Sequence, residues 1–111
     1  DWPVTENAIQ SNRVDVYEAF VTKLSASGTA LEYSTYLGSE GTDDGRNIAV
    51  DSEGHAYVCG NSNAGFYTTP GAFKTTVDFG SGFFSKLKTD GSGFEFSTHI
   101  PMYNFILYER R

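Results

Sequence analysis

The stretch FVTKLSASGTALEYSTYL, residues 20–37, recurs in the same chain as FFSKLKTDGSGFEFSTHI, residues 83–100. Over residues 19–37 and 82–100, 7 of 19 positions are identical without a gap, at an offset of 63 residues. The identical pairs are Phe20/Phe83, Lys23/Lys86, Leu24/Leu87, Gly28/Gly91, Glu32/Glu95, Ser34/Ser97 and Thr35/Thr98. A fixed period of this kind is typical of repeat architectures, in which each unit packs on its neighbours.

Both copies of the repeat alternate apolar and polar residues with a period of two, and a short glycine-containing link divides each copy in half. This pattern predicts antiparallel hairpins, and no window of useful length has helical spacing. A further hairpin is expected around Gly54, whereas GSEGTDDG (38–45) is predicted to be a loop. We therefore predict an all-β chain with strands at 19–24, 31–37, 47–51, 56–60, 83–87 and 94–100.

The repeat extends upstream of the hairpins. DWPVTENAIQ (1–10) aligns with GFYTTPGAFK (65–74), matching Trp2 with Phe66 and Thr5 with Thr69. The unit is thus about 63 residues long and holds two inner strands, a long loop and two outer strands. Four meandering antiparallel strands per unit predict a propeller blade.

These motifs resemble the bacterial and archaeal β-propeller repeat known as SBBP. The resemblance rests on NIAVDSEGHAYVCG, FYTTPGAF, FFSKL and GFEFSTHI, preceded by FVTKLSASGTALEYSTYLG. It implies the outer half of one blade with its entry loop in residues 1–45 and a complete four-stranded blade in 46–100. Residues 101–111, PMYNFILYERR, depart from the repeat and form an apolar, strand-like tail. The resemblance also implies an extracellular or cell-surface protein with no chemistry of its own.

Composition restricts the partners that we expect. With 8 Lys and Arg against 14 Asp and Glu, the chain has a net charge of −6 and lacks the basic surface that nucleic acid requires. No apolar run approaches the roughly 20 residues of a membrane span. The sequence begins DWPVTE, without Met or a signal peptide, and is interpreted as a processed chain or a fragment.

No group of residues predicts catalysis, a cofactor or a metal site. Asp43 and Asp44 are expected to cap turn amides, and the alternative is a calcium loop formed with the nearby Asp51 and Glu53. His55 and His99 are too few and too far apart to predict a zinc site, and they are expected to be solvated or packed. Cys59 is expected to be a small buried hydrophobe, with an intermolecular disulfide as the alternative.

The aromatic residues of the upstream segments allow two interpretations. They could form a sugar-stacking platform, but their recurrence in both units favours packing between blades. The residues concerned are Trp2, Phe66, Tyr67 and Phe73.

One and a half blades leave apolar faces and an unpaired strand edge, which favour association with another chain. The segment MYNFILY (102–108) has strong β-propensity and follows Pro101, so we expect it to add as a strand to the open edge of residues 19–37 in another copy. The expected assembly residues are Tyr103, Phe105, Ile106, Leu107 and Tyr108 of the tail, with Phe20, Leu24, Leu31 and Tyr33 of the acceptor.

The sequence thus predicts a non-enzymatic structural protein whose partners are other copies of itself, joined head-to-tail in a filament or a ring. One alternative is an oligomeric carbohydrate-binding propeller module that takes glycans between its blades. Another is a fragment of a larger secreted propeller protein.

Overall fold

The computed structural model describes residues 2–15, 17–39, 43–63, 65–76 and 81–101, the last without the side chain of Pro101. These residues contain six antiparallel strands and no helix. The strands are β1 (Ala19–Leu24), β2 (Leu31–Leu37), β3 (Asp44–Val50), β4 (Ala56–Asn61), β5 (Ser81–Leu87) and β6 (Phe94–Pro101).

The strands form two sheets. β1 and β2 make a two-stranded sheet, and the other four make a meander in the order β3-β4-β5-β6. This arrangement confirms the predicted all-β class and the predicted combination of a four-stranded blade with half of a second one. We call the two-stranded sheet the half-blade and the four-stranded sheet the blade.

The sequence repeat is also a repeat of strand register. Phe20 opposes Tyr36 in the half-blade, as Phe83 opposes His99 in the blade. Each hairpin has a shift of register at the same place, between Lys23 and Leu24 and between Lys86 and Leu87. The half-blade is therefore the structural counterpart of β5 and β6.

β3 begins earlier than predicted, because Asp44 and Gly45 belong to the strand and not to the preceding loop. Gly45 opposes Gly60 on β4, next to an irregularity of the register between Gly45 and Asn47. A Cβ atom at Gly60 would overlap the carbonyl oxygen of Asp44. The backbones of β3 and β4 thus approach so closely that only glycine fits at this position. The glycines of residues 38–45 are also typical of a loop, and for this reason the sequence predicted a loop here.

The main hydrophobic core lies between the two sheets. One face of the half-blade supplies Ala19, Val21, Tyr33 and Leu37, which are all buried. The facing side of the blade and the loop after β4 supply the rest of this cluster, namely Ala56, Val58, Phe66, Phe83 and Leu87. The side chains of the two facing sheets form one shared core, as they do when sheets stack about 10 Å apart. This core holds the half-blade against the blade in the way that neighbouring units of a repeat protein are held together.

Candidate assembly interface

Each repeat carries the same aromatic stack. The ring of Trp2 lies on Phe20 of β1 with a centroid distance of 4.2 Å and an interplanar angle of 27°. The ring of Phe66 lies on Phe83 of β5 with a centroid distance of 4.2 Å and an angle of 21°. The upstream segment therefore places an aromatic ring on the second residue of β1 and on the third residue of β5 by the same geometry.

The two stacks differ in exposure. Phe66 and Phe83 are 4% and 0% exposed, whereas Trp2 and Phe20 are 41% and 48% exposed. Leu87 is fully buried and its counterpart Leu24 is 56% exposed. The half-blade covers the stack of the blade, and nothing in the described part of the chain covers the stack of the half-blade to the same extent. We call the face of the half-blade that carries Phe20, Leu24 and Leu31 the front face.

The upstream segments also close the outer edge of each sheet. In the first repeat, the amide of Thr5 donates to the carbonyl of Ser34 at 3.0 Å, and the amide of Tyr36 donates to the carbonyl of Gln10 at 3.1 Å. In the second repeat, the same bonds join Thr69 to Ser97 at 2.9 Å and His99 to Lys74 at 2.9 Å. We call residues 2–10 and 66–74 the clips. They occupy main-chain groups that an outer edge strand would otherwise present to another chain.

The clips are anchored by buried serines. Ser34 donates to the carbonyl of Pro3 at 2.8 Å, and Ser97 donates to the carbonyl of Tyr67 at 2.8 Å. Both serine side chains are fully buried. The equivalent bonds show that the long loop of each repeat has a defined course along its outer strand, which the sequence pattern alone did not reveal.

The aromatic residues of the clips are used in packing. Trp2, Phe66 and Tyr67 each stack on a strand aromatic, the last on Phe94 with a centroid distance of 5.5 Å. The indole N–H of Trp2 donates to the hydroxyls of Thr22 and Ser34, each at 3.0 Å. These contacts support the interpretation of the clip aromatics as packing residues. Phe73 differs from them, because it is largely exposed.

The inner side of the half-blade is open. Within the described residues, β1 pairs with β2 alone and its other edge has no partner strand. A groove of about 490 Å³ follows this edge and is lined by Phe20, Val21 and Thr22 of β1 together with residues of β3 and β4. Ile48 of β3 lies in this groove and is strongly exposed. The groove thus combines unpaired main chain with apolar side chains.

Three of the four acceptor residues predicted from the sequence lie on the front face. Phe20 and Leu24 are exposed, and Leu31 is half-buried opposite Leu24. Tyr33 points to the other side and is buried in the core between the sheets, so it is not part of the front face. Tyr103, Phe105, Ile106, Leu107 and Tyr108 lie outside the described residues.

The blade has a second apolar cluster on the side away from the half-blade. Tyr57, Phe84 and Ile100 are buried there, and Phe96 and Cys59 pack against them with partial exposure. Cys59 packs against apolar side chains, as the sequence predicted, but it is half-buried and not fully buried. We call this side of the blade the back face.

A serine, a histidine and an aspartate lie near the start of β3, but they do not form a catalytic triad. Nδ1 of the buried His99 lies 3.2 Å from the hydroxyl of Ser62, and Nε2 has no hydrogen-bond partner among the described residues. Asp43 accepts instead from the amides of Ser39 at 2.7 Å and Asn63 at 3.1 Å. A triad requires the acid on the second nitrogen of the histidine.

Burial shifts the pKa of both titratable groups in this cluster. Desolvation lowers the pKa of His99, and nearby Lys74 lowers it further, while the backbone of Gly82 and the charge of Asp43 act in the opposite direction. Desolvation also raises the pKa of Asp43, against the hydrogen bonds that it accepts from Ser39 and Asn63. The amide bonds confirm the predicted capping role of Asp43. The prediction is wrong for Asp44, which lies in β3 and not in a turn. Its carboxylate contacts Asn61 and Arg46.

The β3–β4 turn brings His55 together with Asp51 and Glu53, two acids that the calcium alternative already included, whereas His55 was not expected to join them. Ligand atoms of Asp51, Glu53 and His55 lie within 4.8 Å of one another, and the spacing D-x-E-x-H on a hairpin is the signal that could have predicted this. His55 Nδ1 is 3.1 Å from Asp51 and its Nε2 is 3.3 Å from Glu95 on β6. These contacts already join the group into a hydrogen-bonded turn.

Asp51 is the centre of that turn. Desolvation acts to raise its pKa, but hydrogen bonds from the amide of His55, the hydroxyl of Tyr57 and the amide of Glu53 prevail and lower the pKa to about 2. The carboxylate is therefore ionised at all ordinary pH values, and its bonds tie the start of β4 to the end of β3. This arrangement stabilises the hairpin.

Comparison with known protein families agrees with this geometry. Residues 32–67, from β2 through β4 to the first clip residues of the blade, match the family described as SBBP, a beta-propeller repeat. The match supports the suspected SBBP repeat over these residues. No match was found among curated proteins or among solved structures. The SBBP repeat thus spans the junction between the half-blade and the blade, which is the interface that the main core fills.

The described part of the chain contains no helix long and apolar enough to cross a membrane. The net charge of the chain is −6. Among the described residues, apolar side chains are exposed on the front face and in the groove beside β1, and Phe96 on the back face is partly exposed.

Proposed function

We propose that the protein is a non-enzymatic structural module of an extracellular assembly, in which SBBP repeats of successive copies associate head-to-tail. The observation that carries this proposal is the exposure of the front face. Phe20 and Leu24 are 48% and 56% exposed, although Phe83 and Leu87, their counterparts in the blade, are fully buried by a neighbouring sheet. An exposed apolar face of this kind favours association with another repeat unit that covers it.

The open edge of β1 is the site for strand addition in this proposal. The clips close the outer edges of β2 and β6, so a strand from another copy can reach unpaired main chain along β1. The adjoining groove of about 490 Å³ has room for the side chains of such a strand. β-Augmentation derives its affinity from main-chain hydrogen bonds and its specificity from alternate side chains, and both requirements are met here.

Residues 102–108 of another copy are the proposed donor strand. In an extended segment, Tyr103, Phe105 and Leu107 share one side and Ile106 and Tyr108 share the other. Burying three such side chains contributes roughly 1.5–3 kcal/mol each before the costs of ordering the segment. Because donor and acceptor are different surfaces, the contact is heterologous and gives a ring if the rotation closes and a filament if it does not.

The polar clusters support a structural module more than an enzyme. Asp51 and His55 are engaged in the β3–β4 turn, and the contacts of Asp43 and His99 do not provide an activated nucleophile. The extracellular location is proposed from the resemblance to SBBP repeats.

The test compares the mass of three purified forms by sedimentation velocity and multi-angle light scattering over a range of concentrations. We expect the full chain to associate, and we expect both the chain lacking residues 101–111 and the variant Leu24→Asp to remain monomeric. Ser52→Asp is the control, because it introduces the same charge at an exposed residue of the β3–β4 turn that does not line the groove beside β1. The proposal is wrong if the full chain is monomeric, or if deletion of residues 101–111 and Leu24→Asp both leave association unchanged.

A further inference from the structure

We propose that the back face of one copy docks on the front face of the next, with Phe96 of the first copy lying over Gly28 of the second. This inference rests on the proposed self-association and specifies which surfaces meet. The resulting contact reproduces between copies the interface that already joins the half-blade to the blade within one chain.

The internal interface provides the template. Tyr33 of the half-blade is buried against the blade, where its ring covers the β5–β6 turn at Gly91. A Cβ atom at Gly91 would overlap ring carbons Cγ and Cδ1 of Tyr33 and lie 2.9 Å from its Cβ. The ring of one sheet therefore rests directly on the backbone of the turn of the next sheet.

The counterparts of Tyr33 and Gly91 lie on opposite faces of the molecule, one on the back face and the other on the front face. Phe96 is the repeat counterpart of Tyr33, and it lies on the back face with partial exposure. Gly28 is the counterpart of Gly91 and has the same conformation, with φ of 74° against 72°. Among the described residues, no atom outside its chain neighbours comes within 4 Å of a Cβ built at Gly28. The turn at Gly28 is thus shaped to receive an aromatic ring and has none.

The residues around this contact correspond in the same way. Val21 and Leu37 flank Tyr33 in the internal core, and their counterparts Phe84 and Ile100 flank Phe96 on the back face. Across the internal interface, the core includes the stacked rings of Phe66 and Phe83. Their counterparts are the exposed rings of Trp2 and Phe20 on the front face. The two faces thus carry the same class of apolar side chain as the internal interface. Phe84 and Ile100 are 9% and 8% exposed within one chain, so the partly exposed Phe96 is the part of the back face that is open to a second copy.

The direction of the chain is compatible with this junction. Although their sequence departs from the repeat, residues 102–108 stand 63 positions after 39–45, which follow β2 and include the start of β3 in the adjoining sheet. A segment after β6 is therefore in the sequence position to enter the unit that lies on the back face. Face docking and donation of residues 102–108 to the open edge of β1 then involve the same pair of copies.

The test uses one variant for each face. Asn tolerates a positive φ better than other side chains, so Gly28→Asn adds bulk to the front face with little cost in folding. Phe96→Asp places a charge on the back face, and circular dichroism with thermal unfolding verifies that both variants are folded. Gly54→Asn is the control, because Gly54 also has a positive φ but lies in the β3–β4 turn.

We expect each variant alone to lose higher association at concentrations where the full chain assembles, with at least a tenfold weaker apparent Kd. An equimolar mixture of the two variants should form a 1:1 heterodimer, because one copy keeps its front face and the other its back face. If Phe96→Asp folds and assembles like the unaltered chain, or if the mixture forms no heterodimer, the inference is overturned. If deletion of residues 101–111 abolishes assembly but neither variant affects it, the proposed strand addition is supported and the proposed docking of the two faces is wrong.

Discussion

Tyr33 lies directly on Gly91, so that the ring of one sheet contacts the backbone of the turn of the next. The contact requires glycine for two reasons, since φ at Gly91 is 72° and a Cβ atom would overlap the ring. Gly28, at the same place in the preceding repeat, meets the first condition with φ of 74° but has no neighbour within 4 Å in the described residues. Substitutions at Gly28 and Gly91 can therefore distinguish two contributions to the free energy of unfolding. Gly28 reports the cost of the positive φ alone, and Gly91 reports this cost together with that of displacing Tyr33.

We expect Gly28→Ala to lower the free energy of unfolding by about 1–2 kcal/mol, the cost of a left-handed conformation for alanine. Gly91→Ala should lower it by a further 1–3 kcal/mol, because the added methyl group displaces Tyr33. Urea denaturation of the monomeric protein at low concentration measures both values. Equal losses for the two variants would contradict a tight Tyr33–Gly91 contact.

The two stacked phenylalanines allow a similar comparison. Phe83→Ala should lower the free energy of unfolding by about 3–5 kcal/mol, because it leaves a cavity between the sheets. Phe20→Ala should lower it by about 1 kcal/mol in the monomer, since the side chain is 48% exposed. The unfolding free energies of the two variants, measured side by side, give the difference. If Phe20→Ala were as damaging as Phe83→Ala, the front face would already be covered within a single chain.

The clips should contribute to stability through their buried serines. Ser97→Ala leaves the carbonyl of Tyr67 without its 2.8 Å hydrogen bond, and Ser34→Ala does the same to Pro3. We expect each substitution to cost about 0.5–1.5 kcal/mol, the net contribution of a typical hydrogen bond, because each carbonyl belongs to an exposed residue and can bond to water instead. Hydrogen exchange of the amides of Thr5 and Thr69 should become faster in the corresponding repeat. Unchanged exchange in both variants would show that the serines do not hold the clips.

The stability of the fold should depend on pH through His99. Burial lowers the pKa of His99 below its ordinary value of 6.5, so the unfolded chain takes up this proton at a higher pH than the folded protein. The stability that comes from the neutral imidazole is therefore fully present above pH 6.5. It is lost as the pH falls from 6.5 through the folded pKa.

The variant His99→Tyr, which installs the residue found at the equivalent Tyr36, should reduce this decline. Chemical denaturation of both proteins at several pH values between 8 and 5 measures the effect. A pH dependence unchanged by the substitution would assign the decline to other groups.

Much of the fold could be predicted because the sequence states it twice. The alternation in residues 19–24 and 31–37 gave the bounds of β1 and β2 correctly, and the repeat transferred the same interpretation to β5 and β6. The early start of β3 was missed, because Gly45 has the composition of a loop and its strand conformation depends on Gly60 in another strand. The bounds of β1 and β2 follow from the residues within each strand. The start of β3 depends on pairing with Gly60, and the sequence pattern does not identify this partner.

The candidate interface was predictable only in part. Exposure of Phe20 and Leu24 followed from counting strands, since half of a blade lacks its cover. The burial of Tyr33 depends on which side of β2 faces the blade, and alternation defines two sides without ordering them. The contact of His55 with Glu95 joins two hairpins and leaves no local trace in the sequence.

The clips have a consequence for how such a protein can change in length. Each repeat brings its own closure of the outer strand, through Thr5 and Gln10 in one unit and Thr69 and Lys74 in the next. Duplication or loss of a whole unit of about 63 residues therefore creates no new open edge at the rim, where chains would otherwise aggregate. An array of any number of such units therefore keeps the outer strand of each unit covered.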